Sequence, residues 1–132
     1  MTDFSNIHAL IIENDKLSVD VLKGLLNHLQ INSTSLLDST RINEVLHHLP
    51  KVDIFFVDLQ MPGYDGYKIL EIIRADSVYR HTPVVAYTAH TNEMATARSK
   101  GFHSFLGKPL HSAEFAKQLE SILQNEHVWV IN

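Results

Sequence analysis

A chain of 132 residues, 45% of them apolar, can bury one proper core but not two, so a single domain over residues 1–132 is expected, with its core at about 7–124 and a short apolar tail at 125–132. A formal charge of −4 without any Lys/Arg cluster excludes general nucleic-acid binding, and the absence of cysteine excludes disulfide scaffolds and thiolate metal centres. The chain does not open on a basic region followed by an apolar run, and no segment reaches the ~20 apolar residues of a membrane span. Cytoplasmic residence follows as the expectation, with proteins and a cation as partners and no membrane partner.

In chain order, short apolar runs alternate with helical-period segments. His8 to Ile12 reads as a strand, followed from Lys16 by a helix whose face is Leu17, Val21, Leu22, Leu25, Leu26 and Leu29, capped by Asp15. Ser33 to Leu37 is a second strand, and Ile42, Val45, Leu46 and Leu49 mark a second helix before Pro50. Asp53 to Val57 is the third strand. Pro62-Gly63 then predicts a tight turn with a positive backbone angle at Gly63, and Asp65 an N-cap for a helix carrying Tyr67, Ile69, Leu70, Ile72 and Ile73. Pro83 to Tyr87 is the fourth strand. Thr91 to Lys100 has few large apolar residues and is terminated by Gly101, so this fourth helix is expected to be loosely held. His103 to Leu106 is the fifth strand, and Phe115, Ala116, Leu119, Ile122 and Leu123 form the face of the last helix.

Five strands alternating with five helices call for a parallel sheet covered on both faces, because each parallel crossover carries its helix. Ligands of such open α/β sheets bind beyond the carboxyl ends of the strands. There the first strand delivers Glu13, Asn14 and Asp15, the third Asp58, the fourth Thr88, and the fifth Lys108 with Pro109. Carboxylates held together repel unless they are protonated or bridged by a cation. An all-oxygen set favours Mg²⁺, which keeps several waters and combines one or two carboxylates with phosphate oxygens. A nucleophilic aspartate with a metal, a lysine and a hydroxyl is sufficient equipment for phosphoryl transfer, which asks mainly for positioning and charge neutralisation.

The segments Ile12-Glu13-Asn14-Asp15, Val57-Asp58-Leu59-Gln60-Met61-Pro62-Gly63-Tyr64-Asp65-Gly66, Ala86-Tyr87-Thr88-Ala89 and Gly107-Lys108-Pro109-Leu110 together resemble the receiver domains of two-component response regulators, from Ile7 to about Gln124. The resemblance implies a flavodoxin-like, doubly wound five-stranded parallel sheet of order 2-1-3-4-5 with helices on both faces. It implies Asp58 as phosphoacceptor from a sensor histidine kinase or phosphotransfer protein, with Glu13, Asn14, Asp58 and the backbone carbonyl of Gln60 around Mg²⁺. Thr88 matches the hydroxyl that turns towards the phosphoryl group, Lys108 its cation, and Phe105 the aromatic switch. Gln60 and His90 match the two positions that tune phosphoryl lifetime, and the bond before Pro109 is expected to be cis. Such a domain is no turnover enzyme beyond self-catalysed transfer and slow autodephosphorylation. Its output is contact with a downstream target protein, or a homodimer, through the face of the fourth helix, fifth strand and fifth helix.

One departure stands out. Asn14 occupies the position where the family places an acid in direct contact with the metal, and an amide oxygen is a neutral, weaker ligand for a hard dication. An unphosphorylated pseudo-receiver is therefore the alternative. A haloacid-dehalogenase-type phosphatase is disfavoured because its Asp-x-Asp pair is missing, and a flavin binder because Glu-Asn-Asp-Lys repels an anion where phosphate would be cradled. Nine histidines are scattered, and only Glu44, His47 and His48 share helical spacing, for which a solvated face is the expectation. Val128 to Ile131 is too short for an independent strand-rich unit and is expected to pack beside the last helix, with docking of a partner or connection to a further domain as the alternatives.

Overall fold

The computed structural model describes residues 3–131. Its elements in chain order are β1 (His8–Ile12), α1 (Lys16–His28), β2 (Asn32–Leu36), α2 (Ile42–His48), β3 (Ile54–Val57), α3 (Gly66–Ala75), β4 (Val84–Thr88), α4 (Met94–Lys100), β5 (Ser104–Gly107), α5 (Ser112–Leu123) and β6 (Trp129–Val130). Single 3₁₀ turns, Ser39–Arg41 and Thr91–Glu93, lead into α2 and α4. All strands pair in parallel in one sheet of order β2-β1-β3-β4-β5-β6.

Central strands of a parallel sheet are buried on both faces and so read as unbroken apolar runs. Along β1 and β3, Leu10, Ile12, Phe55 and Val57 pack with Leu46 of α2, Ile69 and Ile73 of α3 and Ala97 of α4. Their alternates Ala9, Ile11, Ile54 and Phe56 pack on the other face with Leu22 and Leu26 of α1 and Phe115, Leu119 and Ile122 of α5. Two apolar layers therefore hold the strand ends that carry the polar groups.

The predicted caps are in place. Asp15 accepts from the Ser18 N–H (3.2 Å) at the start of α1, Asp65 accepts from the Lys68 N–H (2.9 Å) at the start of α3, and Gly63 has φ +81°. The face predicted for α1 needs correction, since Leu17 is 71% and Val21 45% exposed while Val19 is buried. At 100° per residue the predicted apolar positions span too wide an arc for one buried stripe. Leu17 and Val21 fall opposite Val19, Leu22 and Leu26.

The sheet has six strands, which corrects the expected five. Residues after α5 do not simply lie beside that helix: a turn at Asn125 (φ +66°) returns the chain to the open edge of β5. The Phe105 N–H donates to the Val128 carbonyl (2.8 Å), the Val128 N–H to Ser104 Oγ (2.9 Å), and Phe105 pairs with Trp129. An unpaired edge offers a row of backbone donors and acceptors to any extended segment that can reach it. Among the described residues, no helix is long and apolar enough to cross a membrane.

Candidate functional site

Register brings the site together. Ile12 pairs with Val57 and Val57 with Ala86, so Glu13 and Asp58 leave neighbouring strands at the same level, beside Tyr87 and Thr88. The Asp58 N–H donates to the Ile12 carbonyl (3.1 Å) and the Lys108 N–H to the Thr88 carbonyl (2.8 Å), which ties the ends of β1 and β3, and those of β4 and β5, in two pairs along the rim.

Lys108 Nζ reaches 2.9 Å from Glu13 Oε2 and 3.7 Å from Asp58 Oδ2, and lies 4.7 Å from the centre of the Tyr87 ring. The other Glu13 oxygen accepts from the Asp15 N–H (2.9 Å), and Asp58 Oδ1 accepts from the Leu59 N–H (2.8 Å). Glu13 is fully buried while Asp58 keeps 7% exposure, so only the second carboxylate opens to an incoming reactant. Burial pushes the Glu13 carboxyl above its ordinary range, with the Lys108 ammonium pulling the other way. Burial, then the charges of Glu13 and Asp58, push the Tyr87 hydroxyl up to about 12, so it stays protonated.

The fully buried Thr88 accepts from the His90 N–H on Oγ1 (3.1 Å). His90 is exposed, as are Asn14 and Gln60 at the rim. Phe105 is fully buried between Ala86 of β4 and Trp129 of β6, and the Lys108-Pro109 peptide is cis. The structure thus joins Glu13, Asp58 and Lys108 directly, sets Thr88 one strand away, and leaves Asn14, Gln60 and His90 around the mouth.

Three features escaped the sequence reading. Glu93, in the turn before α4, accepts from Gln60 Nε2 (2.8 Å) and from the Tyr67 hydroxyl (3.0 Å), linking the loop after Asp58 to α3 and α4. Burial, followed by Glu93, pushes the Tyr67 hydroxyl up to about 12. The third is Gly66, legible only as a helix start: a Cβ there would lie 2.5 Å from the Asp58 carbonyl oxygen and 2.8 Å from Leu59 Cα. Only a residue without a side chain lets α3 begin directly beneath the Asp58 backbone.

The donor set suits a hard cation in reduced form. Asp58, Glu13, the Asn14 amide and the Gln60 carbonyl are all oxygens, as Mg²⁺ requires, and Mg²⁺ needs only one or two carboxylates. One of the two carboxylates, however, is already bonded to Lys108. Among the described residues no group of three His, Cys, Asp or Glu side chains is placed to share a metal. Around Glu44, His48 Nδ1 lies 2.7 Å from the Glu44 carbonyl oxygen and the exposed His47 stands 3.7 Å from Asp76, in keeping with a solvated face.

The family model described as "Response regulator receiver domain" matches residues 9–120. The chain belongs to that family. Chemotaxis protein CheY-3 of Vibrio cholerae is 31% identical over 123 residues, covering 90% of this chain and 93% of that protein. Chemotaxis protein CheY of Pseudomonas aeruginosa is 26% identical over 117 residues, covering 87% and 94%. Among solved structures, the receiver domain of sensor histidine kinase PA1611 from P. aeruginosa, which holds a magnesium ion in its active site cleft, superposes with a TM-score of 0.78 at 23% identity, covering 89% of this chain and 98% of that one. CheY4 of V. cholerae gives 0.78 at 18% identity, covering 88% and 98%. At these identities the solved structures speak for the fold alone, a flavodoxin-like parallel sheet covered by helices.

Proposed function

We propose that this receiver domain takes a phosphoryl group on Asp58 from a phosphohistidine of a sensor kinase or phosphotransfer protein in the cytoplasm, and signals by changing its protein contacts. The observation that carries this reading is the Glu13–Lys108–Asp58 arrangement, in which one ammonium faces two carboxylates delivered by two other strands.

An Asp58 oxygen attacks phosphorus while the P–N bond to imidazole breaks; the electron pair stays on the ring nitrogen that carried phosphorus, and the imidazole leaves neutral with the proton already held on its other nitrogen. Lys108 neutralises charge on the transferring oxygens, and the Thr88 hydroxyl donates to one of them. Glu13, Asn14, Asp58 and the Gln60 carbonyl would hold Mg²⁺, which when bound supplies further charge neutralisation. Gln60 and His90 at the mouth govern water access and thereby the lifetime of the acyl phosphate. The domain is a phosphoacceptor and not a turnover enzyme. Once phosphorylated, it favours the conformer in which Thr88 and Lys108 gain partners, and the change passes through Phe105 to the α4, β5 and α5 face. Because β6 lines the β5 edge there, a target or a second copy docks against β6 or displaces it.

Incubation with acetyl phosphate and Mg²⁺, followed by intact-mass measurement, should add one phosphoryl group to the parent and none to Asp58→Asn. Absence of modification in both would support the second reading, a pseudo-receiver. That reading is favoured by Asn14 and by the prior engagement of Glu13 with Lys108.

A further inference from the structure

Away from Asp58, the segment after α5 forms one wall of an open surface cavity of about 430 Å³ beside α3, α4 and β5. Its walls include Arg74, Arg98, Phe102, His103, His127 and Trp129, and no carboxylate lines it. Arg74 is half-buried and gives one N–H to the Thr82 carbonyl (2.8 Å), and burial lowers its pKa. Arg98 lies over the Trp129 ring at 5.0 Å. Among the described residues neither guanidinium forms an ion pair with a carboxylate.

Taking charge out of water is costly unless a counter-charge compensates it, yet half-buried Arg74 lines the cavity without one, and the exposed Arg98 adds a second cation to the same lining in a protein of net charge −4. We infer that this cavity is a binding site for a small phosphate monoester, held between the guanidiniums of Arg74 and Arg98. Guanidinium forks match phosphate oxygens two at a time, and a monoester carries about −1.5 to −2 charges near pH 7, the countercharge two arginines ask for. The cavity falls within the roughly 300–1,000 Å³ typical of small-molecule sites, so it takes the phosphate with a small body attached.

His103 contributes a wall rather than a donor, because Ser104 Oγ (2.9 Å) and Asn125 Oδ1 (3.0 Å) occupy its two ring nitrogens. Since His127 and Trp129 belong to the returning tail, the site exists only with β6 in place. A ligand there strengthens tail docking by mass action.

Trp129 is the single tryptophan, so its emission reports on the cavity directly. With EDTA present and ionic strength held by chloride, titration with inorganic phosphate and with a hexose phosphate should each give a saturable change, the hexose phosphate binding more tightly. Arg98→Gln should weaken both about tenfold, the order expected for losing one charge-assisted contact, and Arg74→Lys should weaken them while keeping a cation there. Asp58→Asn should bind as the parent does, which separates this site from the phosphoacceptor pocket. In a parallel thermal melt, either phosphate should raise the midpoint of the parent and of Asp58→Asn but not of Arg98→Gln. A response no different from chloride, or equal affinity in parent and Arg98→Gln, would overturn the assignment.

Discussion

Asp58 and Glu13 share a rim and a lysine but not a role. Asp58 retains access to solvent, whereas Glu13 is fully enclosed and bonded through both oxygens. Asn14 adds a dipole where a third charge would tighten a cation. Asn14→Asp should therefore raise Mg²⁺ affinity by roughly the 10–100-fold attached to a supporting group, and a calorimetric titration would read it; an unchanged affinity would place Asn14 outside the coordination sphere. Asp15 is engaged as the cap of α1 instead, where its Oδ2 accepts from both the N–H and the hydroxyl of Ser18, at 3.2 and 2.7 Å.

At the scale of elements, two devices decide how well the site is held. The start of α3 beneath Asp58 demands Gly66, so Gly66→Ala should cost about 1–3 kcal/mol in denaturant unfolding, as overpacking does, and should slow acetyl phosphate labelling by displacing the Asp58 backbone. The second device is β6, tied to β5 through His103, whose carbonyl takes His127 Nδ1 at 2.8 Å and whose ring lies 4.4 Å from the His127 ring. Burial chiefly, with His127 and Arg74 adding to it and Asn125 opposing, lowers the His103 pKa. His103 then binds a proton more readily with the tail released than with it docked. Docking is strongest above the ordinary histidine range near 6.5 and weakens as pH falls from there towards the lowered value, by at most about 1.4 kcal/mol per pH unit. Trp129 emission followed from neutral to mildly acid pH should show the tail loosening, and His103→Gln should flatten the profile.

For the molecule as a whole, the tail converts an open sheet edge into a covered one. Removal of residues 127–132 should leave β5 with unpaired backbone groups, an invitation to pairing between copies. Sedimentation velocity should accordingly show more self-association in the shortened chain than in the parent. If the shortened chain stays monomeric at the same concentration, β6 is not what keeps the β5 edge from pairing.

Burial on both faces made β1, β3, β4 and β5 readable from residue order, and the punctuation between runs did the same for β2, the helices, the caps at Asp15 and Asp65 and the turn at Gly63, because these signals are local. The same order placed Glu13, Asp58, Thr88 and Lys108 at strand ends, since a parallel sheet collects its carboxyl termini on one edge. Folding alone settled the rest. Which carboxylate Lys108 touches, that Glu93 bonds Gln60 and Tyr67, and that two residues after α5 become a strand depend on side chains distant in the chain meeting across elements. A two-residue strand is shorter than any period can register, and a glycine under an aspartate is invisible until the helix and the strand end are packed together.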